Sequence, residues 1–71
     1  MTDSDRVRFA QIMAYLSLNF PGRDVDGRLV SVYFSDLASY DVGAVEAAAR
    51  KHVKSSRHFP FISELVALIE A

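Results

Sequence analysis

The chain has 71 residues, a formal net charge of −1, 51% hydrophobic residues and no cysteine. That length holds one domain, near the size where a single apolar core is barely sufficient, and the lack of cysteine excludes disulfides and thiolate-bound metal as staples. The balanced charge argues against a dedicated nucleic-acid binder that displaces many counterions, and no apolar run approaches the roughly 20 residues of a membrane helix. Met1-Thr2-Asp3-Ser4-Asp5 is acidic where a signal peptide is basic and then apolar, so a cytoplasmic location is expected.

Asp3 or Ser4 is placed to cap a first helix, in which Phe9, Ile12, Met13, Leu16 and Phe20 recur at three-and-four spacing until Pro21-Gly22 stops it. Ala10, Ala14 and Leu18 lie off that stripe, so this helix is expected to be central, with neighbours on two sides. Asp24 to Gly27 form a polar connection, and Asp26 caps a second helix reaching about Ser39 with Leu29, Val30, Tyr33, Leu37 and Tyr40 inward. The β-branched and aromatic content of Leu29 to Phe34 also allows a strand. Helix is preferred because the spacing continues to Tyr40 and a lone strand has nothing to pair with.

Asp41 caps a third helix, where Ala47-Ala48-Ala49 favours helix and permits close approach, and Val42, Val45, Ala49, His52 and Val53 turn inward. After Ser55-Ser56, Pro60 suits a helix start because its missing N–H would have had no partner there. Ile62, Leu65, Val66 and Ile69 give the fourth helix its stripe. The fold class is therefore all-α: one domain over residues 1–71, a compact, non-parallel bundle of four short helices.

Tyr40, Val45, Ala48, His52, Ser55, Pro60, Ile62 and Glu64 also stand in a recognisable order and spacing: tyrosine, valine, alanine, histidine, serine, then a proline-led helix with a glutamate. Phe9, Ala10, Met13, Tyr15 and the Phe20-Pro21 ending fit the same pattern. In these residues the chain resembles the phage replication proteins known as helicase loaders and inhibitors, which hold a phage replicative helicase inactive and assist its loading at the origin. The resemblance implies a non-enzymatic protein that binds a ring helicase and quiets its ATPase, with no cofactor of its own. There are two departures. Phe59 and Phe61 stand where family members place a second proline and a threonine cap. The family's helicase contact is attributed to a flexible carboxy-terminal extension, so this chain, ending at Ala71, is expected to be the ordered amino-terminal part of a longer protein or to engage its partner differently.

Three sets of residues are candidates for function. His52 can act as base or ligand, but helical spacing puts no nucleophile or second ligand beside it, so it is read as a half-buried packing residue bonded to a carbonyl or a serine. His58 lies six residues on, a spacing that fits no common zinc motif, and no metal site is expected. Arg50, Lys51, Lys54 and Arg57, with His58, form a window without acids that holds half of the chain's eight Lys and Arg. Such cations offset the partial charge at a helix carboxy terminus; alternatively they contact phosphates or an acidic protein surface, with any nucleic-acid binding weak and salt-sensitive. Phe61, Leu65 and Leu68 line up beside the main stripe of the last helix, either against a second neighbour or as an apolar face for a partner, and Phe34 poses the same choice. The three glycines are scattered and form no phosphate loop, and the paired acids Asp3/Asp5 and Asp24/Asp26 sit in capping or terminal contexts. The alternatives to a helicase partner are another small protein-binding inhibitor or a weak nucleic-acid-binding module.

Overall fold

Thr2 opens the chain's first turn: its N–H donates to the Asp5 carboxylate at 2.9 Å, and Asp3–Asp5 form one turn of 3-10 helix that runs directly into α1, Arg6–Asn19. Asp3 and Ser4 thus lie inside that turn, and the capping role expected of them falls to Thr2. Phe9, Ile12, Met13 and Leu16 are the buried side of α1, which ends where Phe20 leaves helical geometry with its N–H still donating to the Leu16 carbonyl at 2.9 Å. The computed structural model describes residues 1–71, all of them in one chain without strands.

Asp26 caps α2, Gly27–Asp36, its carboxylate accepting from the Leu29 N–H at 2.9 Å. The helix stops at Asp36, short of Ser39, and a turn closed by the Tyr40 N–H on the Leu37 carbonyl follows. Tyr33, Phe34 and Leu37 are buried, while Leu29, Val30 and Tyr40 pack against the core only in part. Phe34 is therefore core: its ring meets Phe9 edge-on at 5.3 Å, and the Arg6 guanidinium lies over it at 4.4 Å.

Asp41 caps α3, Val42–Ser55, through the Gly43 N–H at 2.9 Å. A Cβ at position 43 would sit 2.9 Å from that same carboxylate oxygen, so glycine lets the cap close tightly. Val42, Val45, Ala48, Ala49 and His52 are buried along α3, and the small alanines allow α1 to approach it closely. Pro60 and Phe61 lead into α4, Ile62–Glu70, where Glu64 turns back to accept from the Phe61 N–H at 2.9 Å.

Helix α3 packs on both α1 and α4, and α1 packs on both α2 and α3, so the centre is shared between α1 and α3. The two neighbours of α1 lie toward its Phe9–Leu16 side. Ala10 and Ala14 are consequently exposed, and Leu18 is 83% exposed, where the off-stripe residues were expected to face a second neighbour. The Cα atoms of the bundle span 29 × 28 × 16 Å, a thickness of two helix layers set about 8–10 Å apart. No helix is covered all round. This explains why Leu65 alone is fully buried on α4 while Ile62, Val66, Leu68 and Ile69 only half-cover themselves against the core.

Candidate functional site: an arginine-lined aromatic cleft

The connection from α3 to α4 is tied down at three points. His52 lies 2% exposed with its Nε2 2.8 Å from the His58 carbonyl oxygen; a carbonyl only accepts, so Nε2 carries a hydrogen. Tyr33 donates its hydroxyl to the Pro60 carbonyl at 2.7 Å. Burial pushes the Tyr33 phenol above its ordinary pKa, with Arg23 drawing it down and Glu64 adding to the rise. The Glu64 carboxyl is held below the usual glutamate range, first by the Phe61 N–H and then by His58, whose Nε2 stands 2.9 Å from Oε2; desolvation opposes both.

Beside this anchored loop opens a cleft of about 520 Å³, within the size range of small-ligand sites. One wall is Asn19–Arg23, the segment leaving α1; the other is Arg57–Phe59 with Phe61; Tyr33 lies between them. Phe59 is buried and meets Phe20 at 6.3 Å and Tyr33 at 6.0 Å, both edge-on, and the Arg23 guanidinium stands 6.0 Å over its ring. Phe61 is 62% exposed, its ring 6.0 Å from that of His58. Neither Arg23 nor Arg57 forms an ion pair, and no acid lines the cleft.

A smaller cleft of about 270 Å³ between α1 and α3 is the opposite case. There Arg8 donates to Glu46 Oε1 from Nη2 at 2.6 Å and from Nε at 3.2 Å, while Arg50 stands 3.6 Å from Glu46 Oε2 and 4.9 Å over the Tyr15 ring. The Arg8 hydrogen bond is the largest cause of a lowered Glu46 pKa, partly offset by desolvation.

The structure thus divides the basic window. Arg50 is paired; Lys51 and Lys54 are exposed and free of ion pairs; Arg57 and His58 belong to the cleft. Arg23, which the window does not contain, joins them there. The apolar trio is divided too. Leu65 is core at 1% exposure, Leu68 is half-buried and Phe61 is exposed, because α4 begins at Ile62 and turns Leu65 toward α3. His52 is more deeply buried than expected and bonds the kind of group expected of it. Ligand-type atoms of His52, His58 and Glu64 lie within 4.8 Å of one another, a juxtaposition that sequence spacing hid. All three side chains are engaged within the protein, to the His58 carbonyl, to Glu64 and to the Phe61 N–H respectively.

A family model for the amino-terminal domain of the phage SPP1 helicase loader matches residues 1–66. The chain belongs to this phage helicase-loader family. No curated protein and no solved structure gives a significant match. The loader-pattern residues run from just before α3, along that helix and through the connection into the first turn of α4. Val45, Ala48, His52 and Pro60 are buried and Ile62 is half-buried. Tyr40 donates to Glu70 at 2.6 Å, Ser55 donates to the Lys51 carbonyl at 3.0 Å, and Glu64 closes the first turn of α4. The two phenylalanines that depart from the loader pattern diverge: Phe59 fills the core beneath the cleft and Phe61 stands at its rim. No helix is long and apolar enough to cross a membrane.

Proposed function

We propose that the protein is a phage or prophage DNA-replication accessory protein that binds a replicative ring helicase, restrains its ATPase and assists its loading, without catalysing a reaction itself. The observation that carries this reading is the loader-family match across residues 1–66. The geometry supports the non-enzymatic part: the titratable groups nearest the cleft, His52, His58 and Glu64, each hold a structural hydrogen bond, and Tyr33 is engaged with Pro60. Helicase and ATP chemistry belong to the partner.

Sedimentation of the protein with a replicative helicase tests the reading. A stable complex is expected; no complex, with any carboxy-terminal continuation of the gene product included, defeats it. A weak nucleic-acid-binding role is the second reading, favoured by the unpaired, exposed Lys51 and Lys54 on α3. A gel shift against single- and double-stranded DNA tests it. Retardation that disappears between about 50 and 200 mM salt is the most that so few cations can give.

A further inference from the structure

The geometry points to the cleft between Asn19–Arg23 and Arg57–Phe61 as a docking site for a short acidic segment of a protein partner, with an aromatic or large aliphatic side chain seated against Phe61 and flanking carboxylates on Arg23 and Arg57. Which protein carries the segment rests on the loader reading; the chemistry of the cleft does not.

Three observations converge on this occupant. First, the two arginines come from different connections, one after α1 and one after α3, yet line the same cleft without an acid to pair with. The arginines within α1 and α3 each have a carboxylate: Arg6 has Asp3 at 3.0 Å, and Arg8 and Arg50 share Glu46. A guanidinium presents a planar fork that suits a carboxylate in two-point contact. Second, the cleft has rings to offer. Phe61 is 62% exposed at its rim although the chain's other phenylalanines are buried, and an aromatic anchor between charged contacts is the usual make-up of an energetic centre in a protein interface. Third, the Arg57–Phe61 wall is pre-formed. The His52, Tyr33 and Glu64 hydrogen bonds fix the loop that carries Arg57, His58 and Phe61, so little ordering cost falls on the bound state.

A protein segment fits better than a nucleic-acid strand. Strand binding without sequence preference needs a track of cations along the backbone, whereas here only two arginines line a single open cleft.

The test is a titration of ¹⁵N-labelled protein followed by NMR, using a synthetic Glu-Asp-Phe-Glu-Asp peptide, its neutral Gln-Asn-Phe-Gln-Asn counterpart and an oligothymidine strand. The acidic peptide is expected to shift the amides of Asn19, Phe20, Gly22, Arg23 and Arg57 to Phe59, with Phe61, while the neutral peptide leaves them in place. The double variant R23E/R57E should weaken the acidic peptide by at least about tenfold, and K51E/K54E by no more than about twofold. Both arginines are exposed and unpaired, so folding should survive; R23Q/R57Q and F61A answer the same question should charge reversal disturb it. Absence of binding, shifts centred on Lys51 and Lys54, or displacement of the peptide from these amides by tighter-binding oligothymidine overturns the proposal. With a helicase as partner, a complex indifferent to R23E/R57E removes the cleft assignment and leaves the loader reading intact. Failure of the wild-type protein to form that complex removes the loader reading, and the peptide titration still decides the cleft.

Discussion

Arg8 and Arg50 on the α1–α3 face and Arg23 and Arg57 at the cleft are one residue type in opposite circumstances. On the first face a single glutamate, Glu46, gathers two guanidiniums and bridges two helices. At the cleft the corresponding positive charge has no internal partner, although the loop that carries Arg57 is pinned by three hydrogen bonds. Charge that is neutralised in place contributes to holding the fold, whereas unpaired charge on a fixed loop is free to meet something else. A helical domain of this size has a small core, and here the paired arginines lie on the α1–α3 face while the unpaired ones line the cleft.

The largest expected contrast between folding and binding residues lies at α4. Leu65→Ala should cost about 2–5 kcal/mol of stability in chemical denaturation, enough to unfold much of so small a domain. Phe61→Ala, at the rim just before the same helix, should stay within about 0.5 kcal/mol. Next in size, His52→Ala opens a cavity beside Phe20 and leaves the His58 carbonyl unpaired, for about 2–4 kcal/mol. Tyr33→Phe removes only the hydroxyl from Pro60, about 1–2 kcal/mol.

Acid probes the neutralised face and the pinned loop together. Glu46 and Glu64 both have lowered pKa values in the folded protein. Their contribution to stability is therefore complete above the ordinary glutamate value and is lost as pH falls through the folded values, from about pH 5 downward. Melting followed by circular dichroism at stepwise lower pH should show this decline. Glu64→Gln, which keeps an acceptor for the Phe61 N–H, should make the decline shallower, and an unchanged acid limb would contradict the assigned role of that carboxylate. The smallest effects separate the arginines themselves. Arg8→Ala should lower the melting temperature measurably at low salt and less at high salt. Arg23→Ala and Arg57→Ala should each change stability by less than about 0.5 kcal/mol.

Much of the architecture could be read from particular residues. Asp26 and Asp41 announce helix starts because a carboxylate one step before a helix can accept from its free amides, and both do. The loader pattern was legible because its histidine, proline and glutamate serve the α3–α4 junction, where spacing is constrained. Other features escaped for physical reasons. Ala10, Ala14 and Leu18 form an apolar stripe, but periodicity does not say which stripe receives a neighbour when a helix is apolar on two sides. Arg23 and Arg57 are 34 positions apart in two loops, so only the chain reversal that brings Pro21-Gly22 against Phe59 makes them one site. A different turn, the one between α3 and α4, gathers His52, His58 and Glu64, which no helical spacing could reveal. Phe61 and Leu65 look equivalent by spacing, and the difference arises because Phe61 is the cap residue, just outside the helix that turns Leu65 inward.

The decisive experiment is the ATPase rate of a replicative ring helicase measured against increasing amounts of the wild-type protein and of R23E/R57E. The wild-type protein should slow turnover, and the charge-reversed protein, equally folded, should not. Turnover unaffected by the wild-type protein, or slowed equally by both, would contradict a loader that works through the arginine-lined cleft.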